Sequence, residues 1–325
     1  MNIPLRWKRM RIVVFISWLL YLLATPVLVN GAAASSIEVL PRWKKGEKVQ
    51  YEIIKTRRKR QGKSVTMDLT TRTDLEIEVL SKKNDGYVLA WTLGATRFDD
   101  PNQAKKRLNQ QMSNMLKDQR IILELDSQAV INGVQNWKDL QESSKKILKI
   151  LTAELNNAGL DPAMIAKVRT QITSMFATKQ QIEQLCTREA RIFFMALGIE
   201  LAPSNLLEYE GKLPNSFGGE SFPCHAQFAL KAVNRKSDRV KISWNQKMLP
   251  DDARRIMERT LRDLARRLGK TMPDAEQLKS LTIEDSAEFV LEISTGWIQH
   301  VKYARTTRVE GSSQQDETMI TRKKE

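Results

Sequence analysis

Two histidines, two cysteines and two acidic pairs are the residues of this chain best suited by type to chemistry, and they form no recognisable reactive set. His225 and His300 are isolated in sequence, and there is no Cys-x-x-Cys, His-Glu-x-x-His, glycine-rich phosphate loop or nucleophile elbow. His225 follows Cys224 directly, and neighbouring residues of a strand point to opposite faces, so the two are badly placed to share a metal. Asp99-Asp100 and Asp251-Asp252 suit helix starts, where a carboxylate caps free N–H groups and meets the positive end of the helix dipole. That explains them better than paired catalytic acids. The expectation is a protein that is not an enzyme and carries no cofactor or metal.

Binding features are more prominent. Lys55, Arg57, Arg58, Lys59, Arg60 and Lys63 crowd around Gln61-Gly62, the expected tip of a long hairpin. Such a knob suits an acidic polymer or protein partner; the competing explanation is charge that protects an exposed strand edge from aggregation. A second basic element runs from Asp251 to Leu268. There Ala253, Met257, Leu261, Leu264 and Leu268 make an apolar stripe and six arginines fill the other faces, so the helix can pack on a core or lie on anionic lipid. Aromatic residues do not interleave with either cluster, which argues against nucleic acid.

The compartment is read from the N-terminus. Arg6, Lys8, Arg9 and Arg11 precede an apolar run from Ile12 to Val29, and Gly31 to Ala34 offer cleavage sites, the pattern of an export signal over residues 1–34. A periplasmic or secreted location follows, with membrane contact only through an uncleaved leader or a basic surface. The leader holds four basic residues and no acidic one, so the remaining chain has 49 basic against 38 acidic residues, a net +11. In an oxidising space Cys186 and Cys224 are expected to form a disulfide, although the position of Cys186 on a helix face also suits a half-buried thiol.

The rest of the chain divides into a first β-rich half (35–135), a helical insert (136–202) and a second β-rich half (203–325). Leu75, Ile77, Val79, Leu89 and Trp91 match Phe228, Leu230, Ala232, Ile242 and Trp244 at a constant offset. In both stretches apolar residues alternate, a polar turn intervenes and alternation resumes. Each copy then reaches an acidic pair, a helical stretch and a second hairpin, with turns at Asp126-Ser127-Gln128 and Ser294-Thr295-Gly296. The insert opens at Asn136 and at Asp161-Pro162, carries Ile165, Val168, Ile172 and Met175 on one face, and stops at Gly198. The fold class expected is α+β, with curved antiparallel sheets from two similar hairpin–helix–hairpin halves.

The strand pattern and the Thr295-Gly296 turn before Trp297-Ile298 resemble uncharacterised exported bacterial β-meander proteins. They are also similar to the periplasmic lipoprotein-carrier half-barrels, whose curved antiparallel sheet wraps helices and shelters a lipid. The resemblance brings no site residue with it. It implies a lipid or amphiphile as ligand, and the alternating residues Val65, Met67, Leu69 and Leu89 are then expected to line a groove with cations at its rim. The alternative is an envelope scaffold docking an acidic partner through Arg57, Arg58, Lys59 and Arg60.

Overall fold

The computed structural model describes residues 36–324 apart from 158, 160, 204, 214–219 and 269–280. The leader, the linker residues Pro214, Gly218 and Gly219, and the side chains of Met175, Ala253, Leu261, Leu264 and Leu268 lie outside the described residues. In chain order the elements are β1 (Ile37–Glu38), β2 (Lys48–Gln61), β3 (Ser64–Lys83), β4 (Gly86–Phe98), α1 (Pro101–Ala104), α2 (Arg107–Leu116), β5 (Gln119–Asp126) and β6 (Ile131–Val134). The insert follows as α3 (Trp137–Asn157), α4 (Pro162–Met175), α5 (Lys179–Cys186) and α6 (Arg188–Phe194). Then come β7 (Glu200–Leu201), β8 (Leu206–Leu213), β9 (Phe222–Asn234), β10 (Arg239–Met248), α7 (Pro250–Leu268), β11 (Thr282–Glu292), β12 (Ile298–Val309) and β13 (Ser312–Arg322).

The architecture is α+β. Eleven strands form one curved, open sheet in the order β6-β5-β4-β3-β2-β13-β12-β11-β10-β9-β8, with every neighbour antiparallel, while β1 and β7 pair separately. Strands β2 to β6 and β8 to β12 are two meanders of the same order, each with its helical connection after the third strand: α1 and α2 in the first, α7 in the second. Equivalence of order is not equivalence of register. Leu75 pairs with Leu93, whereas its counterpart Phe228 pairs with Trp244, the counterpart of Trp91. The slip comes from the longer turn after Asn234, four residues against two after Lys83, because each copy carries one bulge between that pair and the turn and these cancel.

Alternation decides the two faces. On the concave face Val49, Tyr51 and Ile53 of β2 stand opposite Ile77, Leu75 and Thr73 of β3, and the apolar members are fully buried. Helices α5 and α6 lay Ile182, Ala190, Phe193 and Phe194 against this row. An aromatic cluster fills the junction: Trp43 stacks on Trp297 at 4.7 Å and meets Tyr87 at 5.0 Å and Phe194 at 5.6 Å, while Phe193 touches Tyr51 at 5.0 Å and Trp91 at 5.6 Å. The Thr295-Gly296-Trp297 turn serves this cluster. Gly296 has φ +74, and a Cβ there would come within 2.6 Å of the Leu40 carbonyl, so only glycine lets the segment carrying Trp43 pass. Trp297 Nε1 then donates to Glu47 at 2.6 Å.

The convex face is solvated and laced with opposite charges, as expected for an antiparallel sheet with one packed face. Arg97 reaches Asp74 at 2.8 Å and Glu52 at 3.4 Å, Arg72 reaches Asp99 at 2.9 Å, and Lys323 reaches Asp74 at 2.6 Å. Hydrogen bonds from Arg97 and Lys323 hold the Asp74 carboxyl down at about 2. Arg322 is bound to the sheet through Glu292 at 3.3 Å, and the Lys323 amide also donates to the Gln50 carbonyl at 2.8 Å.

A buried ion pair lies on the concave side. Asp285 alternates with the buried Ala287, Phe289 and Leu291 and receives both Nε and Nη2 of Arg305, at 2.7 and 2.8 Å. The Asp285 side chain is 2% exposed. Removing one partner strands a charge without water, so Arg305→Ala is expected to cost about 3–5 kcal/mol, whereas Asp285→Leu with Arg305→Met stays near the parent. Urea unfolding of the three chains distinguishes these outcomes.

Candidate functional site

The two hairpins β2–β3 and β12–β13 run side by side to adjacent tips, where the Gly62 amide donates to the Gly311 carbonyl at 2.6 Å. They form a four-stranded arm in the order β3-β2-β13-β12. Between Met67 and Val79 strand β3 keeps an unbroken alternation against β2, so Met67 and Leu69 share the concave face with Leu75, Ile77 and Val79. Directly opposite them on β2 stand Lys59 and Arg57. Arg58 and Arg60 point to the convex face.

The basic run is therefore divided by the pleat, and part of it is neutralised. Lys55 binds Glu189 of α6 at 2.6 Å, Arg57 binds Asp316 at 2.6 Å, and Arg58 holds Asp68 through Nε and Nη2 at 3.0 and 2.8 Å. Burial raises the Glu189 carboxyl, but the Lys55 ammonium outweighs it and holds the group below the usual range. Lys59, Arg60 and Lys63 have no carboxylate partner among the described residues. The cation cluster at the tip is real but smaller than six.

The four residues expected to line a groove are not brought together. Leu89 is fully buried in the main core, facing Val79 and Leu123. Val65 and Met67 are exposed, 52% and 40%, and Leu69 is half-buried. A bulge between Val65 and Met67 also breaks the alternation there. Parity put Leu89 and Met67 on one face; the helices cover only the first. Between sheet and helices a cavity of about 100 Å³ remains, lined by Ile53, Trp91, Leu93, Leu116 and the Lys55–Glu189 pair. It holds a few waters at most, not an acyl chain.

The expected disulfide is absent: Cys186 and Cys224 are both free thiols. Cys186 closes α5 and packs with the main core, whereas Cys224 sits in a separate cluster with Leu213, Phe222, Met248, Ile256 and Met257. A bridge needs Cα atoms within about 7 Å, which two distinct clusters do not provide. Burial pushes the Cys186 thiol up to about 11 and also raises that of Cys224, with hydrogen bonds from the Gly211 and Leu213 backbone opposing it.

The other candidates are structural. Asp100 caps α1, accepting from the Asn102 amide at 2.8 Å, and Asp252 pairs with Arg255 at 2.8 Å in the first turn of α7. His225 approaches Glu208 at 3.8 Å, and His300 Nδ1 lies 2.9 Å from Thr321 Oγ1. Among the described residues no three His, Cys, Asp or Glu side chains converge to hold a metal ion, and no helix is long and apolar enough to cross a membrane. Sequence reasoning missed a basic cleft on the convex face, where Arg239 and Lys241 meet the C-terminal strand. The strand β13 that completes it is polar from Ser312 to Thr318, and no periodicity announced it.

No family model matches the chain, and neither does any curated protein. Among solved structures, one of lipovitellin addressing its lipid–protein interactions is similar over 87% of this chain, at 9% identity and a TM-score of 0.40. The chain spans about a quarter of that protein's length, 26%.

The thiol state is directly measurable. Unfolding without reductant should expose two alkylatable cysteines by mass spectrometry, and in the folded chain at pH 8 both should react far more slowly than a free thiol, Cys186 accelerating only as pH climbs toward 11. A chain that takes up no label when unfolded without reductant would restore the disulfide.

Proposed function

We propose that the chain is an exported, non-catalytic envelope protein that holds an anionic amphiphile against the concave face of its arm. The observation that carries this reading is the cross-strand pairing Arg57 with Leu69 and Lys59 with Met67. It sets cations beside apolar side chains on one accessible face, and the apolar members include an exposed methionine. Water gains when such apolar surface is covered, and an ammonium alongside favours a ligand whose head carries negative charge.

The filled core restricts the ligand to the arm. Leu89 and the residues under α5 and α6 are unavailable to it, so the ligand lies on the sheet rather than inside a barrel. Methionine suits that role, because its flexible thioether adapts to chains of different shape. Lys59 has no carboxylate partner, so it meets a headgroup without first breaking an ion pair, whereas Arg57 must release Asp316.

Flotation with vesicles of phosphatidylglycerol and of phosphatidylcholine tests the reading on the chain lacking residues 1–34. Binding to the anionic vesicles alone is expected, and Met67→Asp with Leu69→Asp should weaken it at least tenfold while leaving the unfolding midpoint nearly unchanged, both side chains being partly exposed. Equal binding by parent and variant would refute the site. A native mass spectrum free of any bound amphiphile, together with no flotation, would refute the function.

A further inference from the structure

On the convex face, at the turn end of the second meander, lies an open cleft of about 890 Å³. Its floor is a single cross-strand row in which Ala232, Lys241, Val290, His300 and Thr321 stand directly opposite one another from β9 to β13. Two bulges flank the row, one between β9 and β10 at Lys241/Ile242 and one between β11 and β12 at Val290/Leu291. A bulge bends its strand and re-aims side chains, and two at one level turn the sheet surface here into a concavity. The second sends Gln299 into the cleft wall.

The cleft is charged in one sense. Arg239 and Lys241 rise from β10, and Arg322, Lys323 and Lys324 close the opposite side. Arg322 shares Glu292 at 3.3 Å and Lys323 binds Asp74 at 2.6 Å. Glu292 is further occupied by Thr295 Oγ1 at 2.8 Å and Gln299 Nε2 at 3.4 Å. Among the described residues no carboxylate oxygen lies within 4.0 Å of Arg239, Lys241 or Lys324. Glu292 is the residue directly across from Arg239 on β11, but its carboxylate is turned to Arg322, Thr295 and Gln299, so three cations without an ion-pair partner among the described residues converge on one concavity.

The surrounding strands decide what kind of anion fits. Every strand from β9 to β13 has a hydrogen-bonded neighbour on both sides, so no backbone edge is free to add a peptide strand. Recognition must come from side chains alone, and a compact, charge-dense group collects three cations better than carboxylates spaced along a chain. Arginine's fork suits two oxygens of a tetrahedral anion, and a lysine ammonium serves as a point charge. Thr321 and the His300 imidazole, already hydrogen-bonded to each other, supply a polar floor.

We propose that this cleft is a binding site for a multiply charged phosphate group, with Arg239, Lys241 and Lys324 as its cationic ligands. The site is on the opposite face from the arm's amphiphile surface and does not rest on that reading. The phosphate comes either from a soluble polyphosphate or from a phosphate-bearing headgroup at a membrane surface.

Calorimetric titration of the chain lacking residues 1–34 with sodium tripolyphosphate tests the site. The parent should bind with an affinity that falls as salt rises, and Arg239→Glu with Lys241→Glu should weaken binding at least tenfold. Both side chains are exposed, so the variant should keep the parent's unfolding midpoint. Lys59→Glu with Arg60→Glu on the arm should change tripolyphosphate binding less than twofold. Flotation with phosphatidic acid vesicles, run in chains that also carry Met67→Asp and Leu69→Asp so that the arm does not contribute, then separates the sources: loss on adding the Arg239/Lys241 changes assigns a headgroup, and no difference assigns a soluble phosphate. Failure of the parent to bind tripolyphosphate, or equal binding by the Arg239/Lys241 variant, would overturn the proposal. Neither result touches the Met67/Leu69 experiment.

Discussion

The pairing of β2 with β13 is the interaction on which the rest of the molecule depends. Eleven cross-strand pairs, from Gln61 with Ser312 to Tyr51 with Arg322, join the first meander to the second. Without them the first meander would end at β2 and the second at β12, each with a long open edge that invites aggregation. With them, the only edges of the sheet are β6, of 4 residues, and β8, of 8. The strand that does this is the last in the chain, so the sheet is completed only when the C-terminus docks.

That closure also dictates the helical insert. Strand β6 and strand β8 are consecutive in the sheet's sequence order apart from the tiny β7, yet they occupy its two opposite edges. Ten strand spacings of about 4.8 Å separate them along the sheet, shortened by curvature. A short loop cannot cover that distance, and the path must cross one face. The insert crosses the concave one, where α5 and α6 bury Ile182, Phe193 and Phe194 against both meanders. The insert is thus the connection that the tandem arrangement requires, and its apolar stripe is what makes the concave face a core.

Much of this was legible from local pattern. The turns after Lys83, Asp126, Asn234 and Glu292, the tip at Gln61-Gly62 and the helix starts at Asp100 and Asp161-Pro162 all follow from residue chemistry that acts over a few positions, whereas the helix expected to stop at Gly198 ends at Phe194, with Gly198 in the turn that follows. Strand β13 was not legible, because Ser312 to Thr318 contains no apolar residue; that stretch is placed by backbone bonds to two neighbours, and Ile320 near the strand's end is what enters the core. The cover over each face was equally invisible. Alternation put Leu89 and Met67 on the same side, but only tertiary packing says that the first is under helices and the second is not. For the cysteines, a count of two beside an expected export signal suggested a bridge, whereas their placement in separate clusters decides it.

The distribution of charge follows from the same arrangement. The six-cation run at the arm looked like the centre of the molecule's positive excess, but a strand pleat sends alternate residues to opposite faces and adjacent strands bring Asp68 and Asp316 against Arg58 and Arg57. Carboxylates of β3 do the same for much of the first meander's convex face, where Glu76, Glu78 and Asp74 hold Lys48, Arg120, Arg97 and Lys323. Pairing inside the sheet and with α6 therefore removes about half of the excess where the sequence shows it most densely. A second group of unpaired cations lies where two strands from distant parts of the chain meet. Lys241 stands across from Ala232 and Val290, which cannot neutralise it, and Glu292, across from Arg239, is taken up by Arg322 at 3.3 Å. The C-terminal Lys324 reaches that row only because β13 is drawn back across the sheet to bind β2. The contact that closes the fold is also the contact that concentrates the positive potential.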